Sequence, residues 1–392
     1  MSSVSHMPRT PFHIPGLTGV RAFAALWVVL LHFRANIGVH DVINYDWLAA
    51  RGFWGVDFFF VLSGFILSHT YLDSLREAFK RYEFKPAFKV FLVKRFARIY
   101  PLHVVSLALF AGLLFLGQAL GERFVSPERC TLVTLLPNLL MIHGWGVTDS
   151  LSWNYPSWSI SAEWFAYLFV FAVFVRSLAS KDIKAGVRLI VYSWLALCLY
   201  NGLNGGSVDD FTSFALPRVA VEFLGGCVLY RLAKDGFGRS LPRWSLLAGI
   251  SGTLALSQLS SNFEFLLLPL ICLILLTLYH GGGYGEGLIA NPATVFLGEI
   301  SYSIYLLHPF GQIIGDAILK DSARIFSMTD GWLILSAEII GVILLAALVY
   351  YMVERPLRGL IVRWYAQRTK RQNRAHPSGN IAQETWRLTK SS

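Results

Sequence analysis

Residues 16–33 read GLTGVRAFAALWVVLLHF. At ~1.5 Å per residue this apolar run crosses most of a ~30 Å hydrocarbon layer when helical. Two ionisable side chains, Arg21 and His32, interrupt it. They are eleven residues apart, so at ~100° per residue they fall within about 20° of one helix face, with a rise of ~16 Å between them. A charge in hydrocarbon is costly and marks a functional lead. The plainer readings are an Arg anchored at an interface and a His hydrogen-bonded in packing. The shared face makes the pair more informative than either member.

The rest of the chain agrees with a membrane reading. Of 392 residues, 55% are hydrophobic and only 15% charged, against roughly 25% charged in soluble proteins. This excludes a soluble globular enzyme, a disordered chain and a disulfide scaffold. Apolar runs fall near 17–35, 53–72, 102–120, 159–176, 187–203, 216–232, 244–261, 263–280, 294–314 and 332–353, and a shorter one at 131–143 reads as re-entrant or interfacial. The expected fold is all-α, a polytopic integral membrane protein with about ten transmembrane helices. With the N-terminus inside, 27 of the 34 Lys and Arg residues fall on the inner side. Arg34, Arg51, Arg123, Arg129, Arg218, Lys320 and Arg324 are left outside. The positive-inside bias therefore places both termini in the cytoplasm.

The expected division is a cytoplasmic segment 1–14, a membrane domain 15–358 and a basic, disordered tail 359–392 lying near anionic headgroups. No small-residue cleavage pattern follows His32-Phe33-Arg34, so the first run is read as a span rather than a leader. The net charge of +10 is assigned to cytoplasmic loops facing membrane lipids, not to nucleic acid. Cys130, Cys198, Cys227 and Cys272 are scattered, so no metal site and no disulfide are expected.

Further polar residues fall where lipid is expected. Asp57, in FWGVDFFFVLSGF (53–65), lies near the outer end of the second span, where it could meet His32 and fix its tautomer. The alternative is an Asp capping its own helix start. KRFARIYP (94–101) places Arg95 and Arg98 three apart beside Lys94, at a membrane mouth closed by Pro101. Such a set suits phosphate, because Arg offers a planar fork of donors; plain anchoring is the alternative. In NYPSWSISAEWF (154–165), Ser159 and Glu163 share a face. Arg218 and Glu222 read as a structural ion pair. Ser301, Tyr305 and His308 put two hydroxyls and an imidazole on one face, and Glu354-Arg355-Pro356 reads as a helix terminator.

In this order the strings resemble the acyltransferase family 3 membrane proteins, which acylate bacterial surface glycans and, in some branches, antibiotics. The resemblance spans roughly 15–358 and rests on Arg21 with His32, FWGVDFFFVLSGF, KRFARIYP, WSISAE, PRVAVEFLGG (217–226) and ISYSIYLLHP (300–309). It implies a bacterial inner-membrane O-acyltransferase with a cytoplasmic acyl-CoA donor, acetyl-CoA first. The implied acceptor is a hydroxyl of a surface polysaccharide or its lipid-linked oligosaccharide precursor. Arg21 and His32 match the family's signature pair, Arg95 and Arg98 its R-x-x-R, and Glu163 the acidic residue of W-S-x-S-x-E. Relatives commonly carry an Asp where this chain has Thr18. Some also carry a C-terminal esterase domain, for which the ~35 residues after the last span leave no room.

The resulting expectation assigns catalysis to His32 supported by Asp57 or Glu163. It assigns the donor to Arg21, Arg95 and Arg98, and the acceptor to Trp158, Ser159, Tyr305 and His308. A neutral imidazole can take the acceptor hydroxyl's proton or be acylated itself. The competing readings are a proton-coupled transporter or flippase, in which these residues form a proton path, and an acyltransferase with a small-molecule acceptor. The absence of a visible internal repeat weighs against transport.

Overall fold

The computed structural model describes residues 14–33, 46–178, 183–203, 215–259, 261–322 and 328–375. Residues 1–13, Arg34, most of the expected outer loop 36–52, Arg324 and the end of the basic tail lie outside them. The described residues are helical, with no strand among them.

In chain order the helices are α1 (Pro15–Phe33), α2 (Trp54–Lys80), α3 (Phe84–Leu120), α4 (Leu132–Leu139), α5 (Trp158–Phe165), α6 (Ile183–Leu203), α7 (Ala215–Lys234), α8 (Ser245–Ser257), α9 (Leu267–His280), α10 (Pro292–Glu299), α11 (Ser301–Ser322), α12 (Met328–Val349) and α13 (Arg355–Ala375). Helix α5 continues through two π turns, Ala166–Val170 and Phe174–Leu178. Five helical stretches among the described residues are long and apolar enough to cross a membrane: Pro15–Phe33, Trp47–Lys80, Phe84–Leu120, Tyr155–Ser177 and Leu335–Arg371.

The bundle centres on α2, which lies closest to α7. A Cβ on Gly64 would collide with the Phe223 carbonyl, and one on Gly226 with that of Val61. Two backbones thus touch where hydrocarbon offers no hydrophobic drive and close packing must supply the association. Helix α1 packs on α2, α10 and α11, α11 on α12, and α13 on α3. The core between them is apolar and aromatic, with Phe65, Phe91, Phe171 and Phe223 fully enclosed.

Three sequence readings are corrected here. Pro101 does not close a mouth between segments, because α3 runs unbroken through it. The missing N–H is tolerated where neighbours support the freed backbone, and the Tyr302 hydroxyl donates to the Ile99 carbonyl at 2.5 Å beside it. The run 294–314 is two helices joined at Ile300, the first capped by Asn291 Oδ1 accepting from Ala293 N and Thr294 N at 2.9 and 3.1 Å. Pro356 is no terminator and 359–375 is not disordered, because α12 passes through a π turn at Tyr350–Glu354 into α13. Pro356 falls in the first turn after that change of pitch, where a proline costs least. The short apolar run at 131–143 holds α4, with Leu132, Val133 and Leu136 exposed.

Candidate active site

A cavity of about 170 Å³ opens between α1, α2, α3, α5 and α11. Its lining includes Arg21, Arg95 and Arg98, with Ser63, Glu163 and Tyr167. Ser159, Ser301 and Tyr305 line it too. Phe59, Phe60, Ile66 and Ile160 complete an apolar wall. The shared face of Ser159 and Glu163, read from their spacing, is therefore turned into this space, as are Ser301 and Tyr305. The Ser301 hydroxyl is buried and has no hydrogen-bond partner among the described residues.

The cations of α3 are held by aromatic neighbours. Arg95 Nη2 donates to the Tyr71 hydroxyl at 2.9 Å, and its guanidinium lies 5.2 Å from that ring's centroid, with Lys94 over the same ring at 5.8 Å. Arg98 lies 5.4 Å over Tyr302 and is ion-paired to Glu354, whose other oxygen accepts from Ser303 Oγ at 2.7 Å. Flat ring faces favour a cation while leaving its N–H edge available. Glu163 Oε1 accepts a 2.5 Å hydrogen bond from Ser63 Oγ, which is itself 3.4 Å from the Tyr167 hydroxyl. The cavity thus carries several positive groups at one side and a fixed carboxylate in its wall.

The far wall is a hydrogen-bonded seam. Tyr305 donates to the Pro156 carbonyl at 2.9 Å, and its oxygen is 2.8 Å from Ser159 Oγ. Behind Tyr305 stands His308, whose Nδ1 donates to the Tyr305 carbonyl at 2.7 Å, since a carbonyl can only accept. That leaves His308 Nε2 facing the Tyr155 hydroxyl at 3.3 Å. His32 stacks on His308, ring centroids 4.9 Å apart and planes 21° from parallel, and lies 4.9 Å from the Tyr155 ring. Gln312 bridges the group, accepting from Tyr155 at 3.1 Å and donating to the His32 carbonyl at 3.2 Å. His32 and His308 are brought together; neither lines the cavity, and the Tyr305 ring, which does, lies 5.9 Å from the His308 ring.

Asp57 is not brought to His32. Gly52 and Gly55 pack against the Trp27 and Ala24 carbonyls, so α2 descends past α1 with Asp57 level with or below Ala24. At ~1.5 Å per residue, His32 stands about 12 Å above that level. Asp57 instead accepts from Arg218 Nε at 2.6 Å, with Glu222 on the same nitrogen at 3.4 Å, all three buried. The reading of Arg218 and Glu222 as a pair thus holds with a third member added. Trp158 is buried edge-on to Phe60, 6.1 Å between ring centroids, a layer behind the cavity wall.

Sequence reasoning passed over Ser63, Tyr71, Tyr155, Tyr167, Tyr302, Gln312 and Glu354. Ser63 and Glu354 were visible as polar groups inside apolar runs. The aromatic partners carried no such mark among 29 Phe, 16 Tyr and 12 Trp.

A helical bundle whose internal cavity gathers arginines, a carboxylate and hydroxyls, with two stacked imidazoles beside it, has the groups that acyl transfer needs. Residues 14–351 match the family described as an acyltransferase domain, and the chain belongs to that family; it is an acyltransferase, which sets aside the transporter reading. It is 25% identical to acyltransferase MdmB of Streptomyces mycarofaciens, over 91% of this chain and 95% of that one. It is 31% identical to protein 2 in picA locus of Rhizobium radiobacter over 46% of this chain and 91% of that one. It is also 23% identical to peptidoglycan O-acetyltransferase OatA of Listeria monocytogenes, over 76% of this chain but only about half (49%) of that protein's length. No solved structure matches the chain.

Proposed function

We propose that this protein is a bacterial inner-membrane O-acyltransferase that takes an acyl group, acetyl first, from cytoplasmic acyl-CoA. It passes the group to a hydroxyl of a cell-surface polysaccharide or its lipid-linked precursor. In this reading there are about ten spans with both termini cytoplasmic, the membrane domain runs over 15–358, and the arginine side of the cavity faces the cytoplasm. The observation that carries it is one cavity lined by Arg21, Arg95 and Arg98 together with Ser63, Glu163, Ser159, Ser301 and Tyr305, with the His32–His308 stack beside Tyr305. The polysaccharide acceptor is supported by the name of the Listeria relative, a peptidoglycan O-acetyltransferase.

In the proposed reaction the donor's phosphates stay with the arginines, and its thioester enters the cavity toward Tyr305. The acceptor hydroxyl arrives from the imidazole side. With the Tyr305 ring turned aside, its oxygen forms a bond to the thioester carbonyl carbon while His32 takes its proton; the carbon–sulfur bond breaks and the departing thiolate recovers that proton from His32 as CoA thiol. His308, stacked on His32 and in contact with Tyr155, keeps the base in place. Glu163 sets the polarity of the cavity at the thioester. Asp57 takes no part in this scheme except through packing.

Acetyl-CoA should raise the melting temperature of the purified, full-length protein, since a ligand bound only by the native state stabilises it. His32→Ala should keep that stabilisation and lose transfer by 10²–10⁴-fold, the ordinary contribution of a general base. Transfer near the wild-type rate in His32→Ala would remove the base from this position.

A further inference from the structure

The cation cluster has one more member, and it comes from α13. Arg358 lies four residues beyond Glu354, so it projects from the same helix face one turn further along. Glu354 is locked onto Arg98 at the cavity wall, and α13 packs along α3. The register therefore carries Arg358 past the mouth rather than into it. Its side chain is exposed on the surface of the bundle and does not line the cavity. Arg95, Tyr71 and Tyr350 are close enough to influence it, and it acts in turn on Arg21, Lys94 and Arg98. Five cations so arranged face three carboxylates, Glu163, Glu299 and Glu354. Like charges gathered at a low-dielectric mouth repel, and an anionic ligand relieves that repulsion.

The donor's chemistry fixes which anion meets which cation. Along acyl-CoA the order is acyl group, thioester, pantetheine arm, diphosphate and then the ribose 3′-phosphate. If the thioester lies in the cavity, the diphosphate falls to the arginines lining it, and the 3′-phosphate must lie outside. A phosphomonoester carries about −1.5 to −2 charges at neutral pH and three acceptor oxygens, which an exposed Arg can meet with two parallel N–H groups. We propose that Arg358 on α13 binds the 3′-phosphate of the CoA donor, so that this helix makes the enzyme select CoA over 3′-dephospho-CoA. This rests on the donor reading above. The same phosphate-binding chemistry could be met by a lipid headgroup, and the experiment separates the two sources.

The test measures affinities of acetyl-CoA and 3′-dephospho-acetyl-CoA for the full chain in phosphatidylcholine nanodiscs, for wild type, Arg358→Ala and Arg358→Lys. Wild type should favour acetyl-CoA by tenfold or more. Arg358→Ala should cut that preference below about threefold while leaving dephospho-acetyl-CoA affinity unchanged, and Arg358→Lys should fall between. A preference that survives Arg358→Ala overturns the assignment. So does an equal loss for both ligands, which places Arg358 on the diphosphate. In phosphatidylglycerol nanodiscs, a melting temperature lowered by Arg358→Ala, with the ligand preference kept, assigns the residue to headgroups and overturns the proposal. If wild type binds both donors equally, this inference fails and the donor reading stands; if it binds neither, both fail.

Discussion

At the residue scale the Asp57–Arg218–Glu222 group is a buried cluster of charge, with each side chain no more than 3% exposed. Two carboxylates share one guanidinium, so the members are not equivalent. Removing Asp57 leaves Arg218 paired with Glu222, whereas removing Arg218 leaves two buried carboxylates facing each other. Breaking a buried pair by deleting one partner costs about 3–5 kcal/mol. Arg218→Leu should therefore lower the melting temperature far more than Asp57→Asn or Glu222→Gln, each expected to cost less than about 1.5 kcal/mol of stability. Differential scanning fluorimetry of the purified variants reads this directly. Asp57→Asn should also keep acyl transfer within several-fold of wild type. A variant with normal melting but no transfer would return Asp57 to the catalytic group. Glu354 belongs with these residues: it fixes Arg98 from a helix far away in sequence, and the composition of its own segment suggested only a helix end.

At the element scale, the α2–α7 crossing determines where the site can be. Gly64 and Gly226 let those backbones touch, which sets the height of Asp57 against Arg218 and Glu222. A side chain at either glycine must push two helices apart, and overpacking of a close contact costs ~1–3 kcal/mol or more. Gly226→Leu should fail to give monodisperse protein on size-exclusion chromatography. Gly341→Ala, where a Cβ meets nothing within 4 Å, should behave as wild type. A well-folded Gly226→Leu would show that the crossing is looser than its geometry. This scale also explains what was legible beforehand. Spacing within one helix was readable: Ser159 with Glu163, and Ser301 with Tyr305, do share the cavity face, because helical periodicity is local. Arg21 and His32 share a helix, yet only Arg21 reaches the cavity, since what stands before each residue depends on the neighbouring elements. Partners between helices were not readable. Asp57 and Arg218 are 161 residues apart and their pairing follows from the glycine crossing. Proline at 101 and 356 misled because packing and a π turn overrode a local rule.

At the scale of the whole molecule, the proposed reaction joins two compartments without letting water run between them. In the proposed reaction one thin partition divides the arginine-lined cavity from the imidazole stack. That partition is the Tyr305 ring, pinned by the Pro156 carbonyl and Ser159. Water admitted to the thioester would compete with the acceptor, so exclusion of water is part of the function of such a site. Taking the ring away should therefore uncouple the enzyme rather than merely slow it. Tyr305→Ala should release CoA from acetyl-CoA several-fold faster than wild type when no acceptor is present, and should transfer less to acceptor when one is. Tyr305→Phe keeps the ring and loses both hydroxyl contacts, so its leak should lie between the two. A thiol-trapping assay on purified protein measures the release, and the melting shift with acetyl-CoA shows that donor binding is retained. Acceptor-free release unchanged in a Tyr305→Ala protein that still binds donor would mean that the partition lies elsewhere. The imidazole stack would then have no barrier to work across, and the order of groups on which the transfer scheme depends would have to be redrawn.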